Sequence, residues 1–290
     1  MLDSSVQRQV YADSFYDVPA QRPDAAIALR SVRVHNQHIV LDVEEELLGG
    51  ARQLLCAVEA EVSLRAEQRG VHMSRMEQAF QGHGQGPLVA TAMAIAERIR
   101  QTQWQDSARL GLRALAPVVT STPVTMLASP DMVELAVVAV AGPRPWVTQS
   151  VGATIITACP CMQGYALTDL VDELGLTADE GLRVLSRVPV ATHSQKGRVT
   201  LTVGAPEPAD LPGYHTLYRV LAEHTTLTQE LLKRPDEYEL VRRAHLRPQF
   251  VEDVARDTAA GLARRLADTG ADLRRLTVRV LADSIDRCAD

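Results

Sequence analysis

QSVGATIITACPC, residues 149–161, decides how this chain divides. Small and β-branched side chains run up to Cys159-Pro160-Cys161, the pattern of a strand that ends in a loop. Upstream of it, residues 28–43 (ALRSVRVHNQHIVLDV) and 53–65 (QLLCAVEAEVSLR) alternate apolar and polar positions around the turn material LLGGA, so they pair as antiparallel strands. Helical spacing follows in MEQAFQ and LVATAMAIAERIRQ, separated by the glycines of QGHGQGP, and strand-like stretches resume at 108–118 and 132–141. The first half thus reads strand, strand, helices, strand, strand. If the 149–158 strand opens a second half, a related order recurs. A helical insertion at 166–186 precedes the strand GRVTLTVGA, helices at 214–234 and 248–268 begin after Pro212 and at Pro248, and TVRVLAD closes as a strand. The expectation is an α+β chain of two tandem units, each an antiparallel sheet backed by a helix pair: residues 26–145 and 146–290, behind an arm of residues 1–25. No strict repeat accompanies this, so the division rests on element order alone.

With 290 residues, 46% hydrophobic and 23% charged, the chain is long enough for a substantial core. Its net charge of -6 argues against a protein that lives on nucleic-acid phosphates, which needs a clustered basic excess. No run approaches the roughly 20 apolar residues of a membrane helix, and MLDSSVQRQV lacks a secretory pattern, so a cytoplasmic location is expected. Of the four cysteines, Cys56 lies in an apolar run and Cys288 near the end, while Cys159 and Cys161 stand two apart. That usage points to metal or catalytic chemistry in a reducing compartment.

In an extended chain positions i and i+2 face one side, so Cys159 and Cys161 can address one site; two buried thiols without a role are the alternative. The pair is not a closed zinc site, which needs a second ligand pair. His193, in THSQKG, has Ser194, Gln195 and Lys196 beside it and gains meaning next to a thiolate; otherwise it is an ordinary surface histidine. Glu237, in KRPDE, and Glu252, in PQFVED, fall at helix ends, where solvated carboxylates are common, and that plain reading is kept for Asp253 and Asp257. RGVHMSR, residues 69–75, gathers Arg69, His72, Ser74 and Arg75 where a strand passes to a helix, either an anion site or a basic surface turn. Neither GxxxxGK[ST] nor GxGxxG occurs, so no P-loop or Rossmann phosphate cradle is available.

Taken in order, RGVHMSR, TACPCMQ, THSQKG, KRPDE and PQFVED resemble the type IB GTP cyclohydrolase family, including its archaeal branch that makes a cyclic-phosphate dihydroneopterin. The long insert between Cys161 and His193 is closer to the archaeal branch. The resemblance implies tandem tunnelling-fold modules, the second carrying most of the metal site, in a homotetramer with active sites at subunit interfaces. It implies a divalent metal (zinc, manganese or iron(II)) on Cys159, His193 and Glu237, an open three-donor set of the kind catalytic metals use. It also implies that Glu252 reads the guanine edge, that the Cys161 thiol either backs the metal ligands or contacts substrate, and that Arg69, His72 and Arg75, with Gln195, complete substrate binding.

The activity so implied is hydrolytic opening of the GTP imidazole ring at C8, loss of formate and closure to a dihydroneopterin phosphate, in pterin and folate biosynthesis. The family's terminal motif resembles ESIHxH, whereas this chain ends ADSIDRCAD, with Asp283 for the glutamate and Asp286 and Cys288 for the histidines. A carboxyl of ordinary pKa near ~3.9 is a poorer proton donor at neutrality than imidazole near ~6.5. Two alternatives therefore stand: a relative that stops at a formamide or takes another purine nucleotide, and an inactive purine- or pterin-binding scaffold.

Overall fold

The computed structural model describes residues 17–83, 85–190, 192–230 and 232–284. Among them, seven strands form one antiparallel sheet in chain order: β1 (Leu29–Glu45), β2 (Gly50–Leu64), β3 (Ala108–Ser121), β4 (Ala128–Ala141), β5 (Trp146–Ala158), β6 (Ser194–Ala205) and β7 (Thr277–Ser284). The chain is therefore α+β, and the sheet runs on without a break across the junction of the two expected units, through the pairing of β4 with β5.

Period-two burial explains the helix-covered face. Leu54, Cys56, Val58, Ala60 and Val62 of β2 are buried, as are Leu110, Leu112, Ala114, Ala116 and Val118 of β3. Each fully buried leucine or valine contributes about 1.5–3 kcal/mol. Between β2 and β3 lie α1 (Met73–Ala79) and α2 (Leu88–Thr102); α2 buries Leu88, Ala92, Ile95, Ala96 and Ile99 at helical spacing. After β6 come α5 (Tyr214–His224), α6 (Arg234–Leu246) and α7 (Val251–Asp268), following an insertion of α3 (Cys161–Asp172) and α4 (Ala178–Leu185) between β5 and β6. The insertion folds back on itself at Gly181, where a Cβ would stand 2.6 Å from Leu167 Cδ1. A similar close approach joins α7 to α5, since a Cβ on Gly261 would overlap the His224 ring.

One expected helix is corrected. The 214–234 segment leaves helical conformation after His224, and Leu227 pairs with Ile155 instead. Ile156 N–H donates to Thr226 O at 2.9 Å and Thr228 N–H to Thr154 O at 3.0 Å. The register of β4 with β5 stops at Glu134–Gly152, so beyond it the edge of β5 that faces away from β6 takes its partner from this connection. No helix among the described residues is long and apolar enough to cross a membrane.

Candidate functional site

The end of β5 meets the start of β6 at one corner of the sheet. Ala158 pairs with Ser194, Cys159 N–H donates to His193 O at 3.2 Å, and Thr157 Oγ1 donates to Gln195 O at 3.4 Å. The start of α7 closes the corner, and between them lies a pocket of about 150 Å3. Its wall includes Cys159, His193, Gln195, Gln249, Glu252 and Ser284. Cys159, His193, Gln195 and Glu252, four of the residues singled out from the sequence, thus come together from three separated segments.

Cys161 opens α3, is exposed, and its thiol lies beside that of Cys159. The hydrogen bond with Cys159, and then the charge Cys159 would carry, push the Cys161 thiol up from its ordinary value. The extended spacing expected for the pair does not hold. Pro160 takes helical angles (φ -63°, ψ -29°), and the first turn of α3, not a strand, brings the sulfurs together.

Glu237 is exposed, in the first turn of α6, and is not in the pocket wall. Among the described residues no group of three or more His, Cys, Asp and Glu stands close enough to hold a metal. The far end of α6 does reach the corner: the His245 ring nitrogens lie 2.8 Å from Val241 O and 3.3 Å from Thr192 O, next to His193. Eight residues at 1.5 Å rise separate Glu237 from His245, about 12 Å along the helix.

The neighbour of Glu237 has a firm structural role that the sequence reading passed over. Asp236 is buried and accepts from Val124 N–H (2.9 Å), Thr125 N–H (2.8 Å) and Thr125 Oγ1 (2.6 Å), fixing the start of α6 to the β3–β4 loop. Burial alone would raise its pKa, but these hydrogen bonds overcome it and hold the carboxyl far below the usual carboxylate range. Its place at the third position of a Pro-containing helix start was the available signal. Asp253 and Asp257, read as plain solvated charges, are also engaged. Asp253 accepts from Phe250 N–H at 3.1 Å, and Asp257 accepts from Gln249 at 2.7 Å and Arg247 at 2.9 Å.

RGVHMSR sits at the opposite end of the sheet. β2 ends at Leu64 beside the start of β3, whereas Cys159 follows the far end of β5. His72 is buried, and its backbone exchanges hydrogen bonds with the Gln103 amide (2.9 and 2.8 Å). Asp17 lies between the two side chains, with its oxygens 3.4 Å from His72 Nδ1 and 3.4 Å from the Arg75 guanidinium at Nη2. The Arg75 guanidinium stacks 4.3 Å from the centroid of Trp104, while Arg69, exposed, donates its N–H to Gln21 O at 2.8 Å. His72 Nε2 and Arg75 Nη1 are buried without a hydrogen-bond partner. Burial first, and the Arg75 charge second, lower the His72 pKa.

Asp283 lies on β7 opposite Arg198, exposed, and its neighbour Ser284 faces the pocket. Asp286 and Cys288 lie outside the described residues. The sequence reading missed Gln249 and Ser284, whose positions depend on where α7 and β7 land.

The family model described as Type I GTP cyclohydrolase folE2 matches residues 15–280. The chain is similar to "GTP cyclohydrolase MptA 2" of Methanocella arvoryzae, 29% identical over 274 residues, 87% of this chain and 86% of the relative. It is also similar to "GTP cyclohydrolase MptA" of Methanocorpusculum labreanum, 29% identical over 280 residues (90% and 88%). The protein of the same name from Haloferax volcanii is 29% identical over 264 residues (84% and 82%).

Proposed function

This chain belongs to the type I GTP cyclohydrolase (folE2) family and is a GTP cyclohydrolase, and from that premise we propose that it opens GTP at C8 with a divalent metal, releases formate and yields a dihydroneopterin phosphate. The observation that carries this reading is the convergence of Cys159, His193, Gln195 and Glu252 on one pocket from segments far apart in the chain. Free thiols at Cys56, Cys159 and Cys161 accord with a reducing, cytoplasmic setting, and the proposed product places the chain in pterin and folate biosynthesis.

Thiolate and imidazole donors side by side suit zinc, manganese or iron(II), and Cys159 and His193 would hold the ion, with Glu237 as third donor in the assembled enzyme. When bound, the metal supplies the Lewis acidity that activates water for attack at C8. Glu252 accepts the guanine N1–H and exocyclic amine in one bidentate contact, which sets the ring's angle. Gln195 orients the base from the β6 side, and Cys161 stands beside the reacting carbon. Asp283 and Asp286 move protons in the later steps.

Arg69, His72 and Arg75 bind phosphate from a second copy of the chain. β5 alone, at 13 residues and about 3.3 Å each, spans roughly 40 Å, so one copy cannot bring both ends of its sheet to one GTP. This supports active sites shared between copies, and we read the assembly as a homotetramer of tandem tunnelling-fold modules, residues 26–145 and 146–290 behind the arm 1–25.

The ending ADSIDRCAD favours one second reading, a relative that stops at the formamide. Anaerobic incubation with GTP and each metal, followed by mass spectrometry, decides between them. Formate with a dihydroneopterin phosphate is expected; a product heavier than GTP by one water, without formate, supports the second reading. GTP left untouched with every metal would sink both and favour the binding scaffold.

A further inference from the structure

The pocket beside Cys159 holds a benzene ring that neither metal binding nor recognition of the guanine edge explains. Phe250 lines it and keeps 42% of its surface exposed. Its backbone is pinned on both sides. Asp253 accepts the Phe250 N–H at 3.1 Å, and the Phe250 carbonyl accepts from Asp253 N–H and Val254 N–H, each at 3.0 Å. The preceding side chain, Gln249, is buried and donates to His224 O at 3.2 Å and Asp257 Oδ2 at 2.7 Å. The chain thus fixes this position firmly, yet leaves the ring out of the core, against polar walls supplied by Cys159, His193, Gln195 and Glu252.

An aromatic ring carried on a fixed backbone and open to a polar pocket suits a flat partner. We propose that Phe250 is the platform on which the purine base of the substrate stacks, while Glu252, two residues on, reads the edge of the same base. This rests on the reading that the base of GTP occupies this pocket. One turn of chain then supplies both parts of recognition, the ring covering a face and the carboxylate accepting in the plane. The two contributions differ in kind. Every purine presents a π face, so the platform sets affinity without choosing the base; the edge contact chooses guanine over adenine.

Full-length protein tests this in three measurements: nucleotide binding, indole emission and thermal melting. Nucleotide binding is measured for the parent, Phe250→Leu and Glu252→Gln, using GTP and ATP. Base–aromatic stacking of ordinary strength predicts that Phe250→Leu weakens both nucleotides by roughly tenfold to a hundredfold at an unchanged GTP/ATP ratio, and that Glu252→Gln changes the ratio. Phe250→Trp is expected to bind GTP within a few-fold of the parent, and its additional indole emission should fall as GTP is added. Parental affinity in Phe250→Leu, or no quenching in Phe250→Trp while Glu252→Gln still shifts the ratio, overturns the platform and leaves the base in the pocket. No shift of the ratio in Glu252→Gln as well removes the base from this pocket and takes both readings with it. A lowered melting temperature with equal losses in Phe250→Leu and Phe250→Trp assigns the ring to structure and also overturns the proposal.

Discussion

The two ends of the sheet carry the candidate chemistry in opposite conditions. At the Cys159 corner, His193, Cys161 and Glu252 are exposed, and the hydrogen bonds that shape the corner come mostly from backbone. At the RGVHMSR end, His72 is buried, Arg75 is stacked on Trp104, and both address Asp17. The same residue types therefore do different work. Side chains left open over a firm backbone are available to a ligand, whereas those at the other end already help to hold α1, the 17–21 segment and Trp104 together. Substitutions at the first end should cost function with little loss of stability, whereas at the second they should cost stability together with the phosphate binding proposed for that end.

The largest effect is expected at the open corner. Cys159→Ala should lose the divalent metal and lower turnover by at least about a hundredfold, with an unchanged circular dichroism spectrum and melting curve for the metal-free protein. Glu237→Ala should behave in the same way; full metal content in either variant removes that residue from the ligand set. Glu252→Gln should come next. An amide accepts only through its oxygen and presents a donor where guanine also donates, a mismatch of about 1–3 kcal/mol, so the preference for GTP over ATP should fall by roughly fivefold to 150-fold. Equal nucleotide preference in variant and parent would show the carboxylate facing something other than the base.

Arg75→Ala inverts the pattern. Loss of the stack on Trp104 and of a partly exposed ion pair should lower unfolding free energy by about 1–2 kcal/mol in urea titration, while metal content stays at the parental level. Parental stability in this variant would erase the contrast between the two ends.

The smallest effect is a pH dependence. The folded pKa of His72 is lowered, by burial and then by Arg75, so the unfolded chain binds the proton more readily. Its contribution is complete above the unfolded value near ~6.5 and is lost as pH falls from there through the folded pKa. The melting temperature of metal-free protein should accordingly fall between about pH 7 and pH 5, and His72→Gln should flatten part of that slope. His224, whose pKa is lowered by burial and by Arg247 and Arg264, adds a slope of the same sign, and Glu45, whose pKa is raised by burial, one of the opposite sign. A slope unaltered in His72→Gln would place the pH sensitivity elsewhere.

Much of the fold was legible in the sequence because alternation over β1–β4 and the helical spacing of α2 are local signals written in side-chain polarity. Where that signal was weak the reading failed. The 225–233 connection is rich in leucine and threonine and reads as helix, although Thr226 and Thr228 bond to the end of β5 and Gln229 and Glu230 to Thr120, Ser121 and Asp131. α6 escaped notice because it buries only Asp236, Leu240, Ala244 and His245 and so shows little apolar stripe. The motifs likewise named Cys159, His193 and Glu252 but could not say that they share a pocket, that Glu237 stands about two helical turns from His245, or that Arg69, His72 and Arg75 lie at the sheet's other end. By itself the sequence determined the order of the strands and the residue types available for chemistry. Tertiary structure alone decided which of them meet, because strand register and the landing of α7 and β7 bring together residues up to a hundred or more positions apart, and no pattern read along the chain encodes that distance.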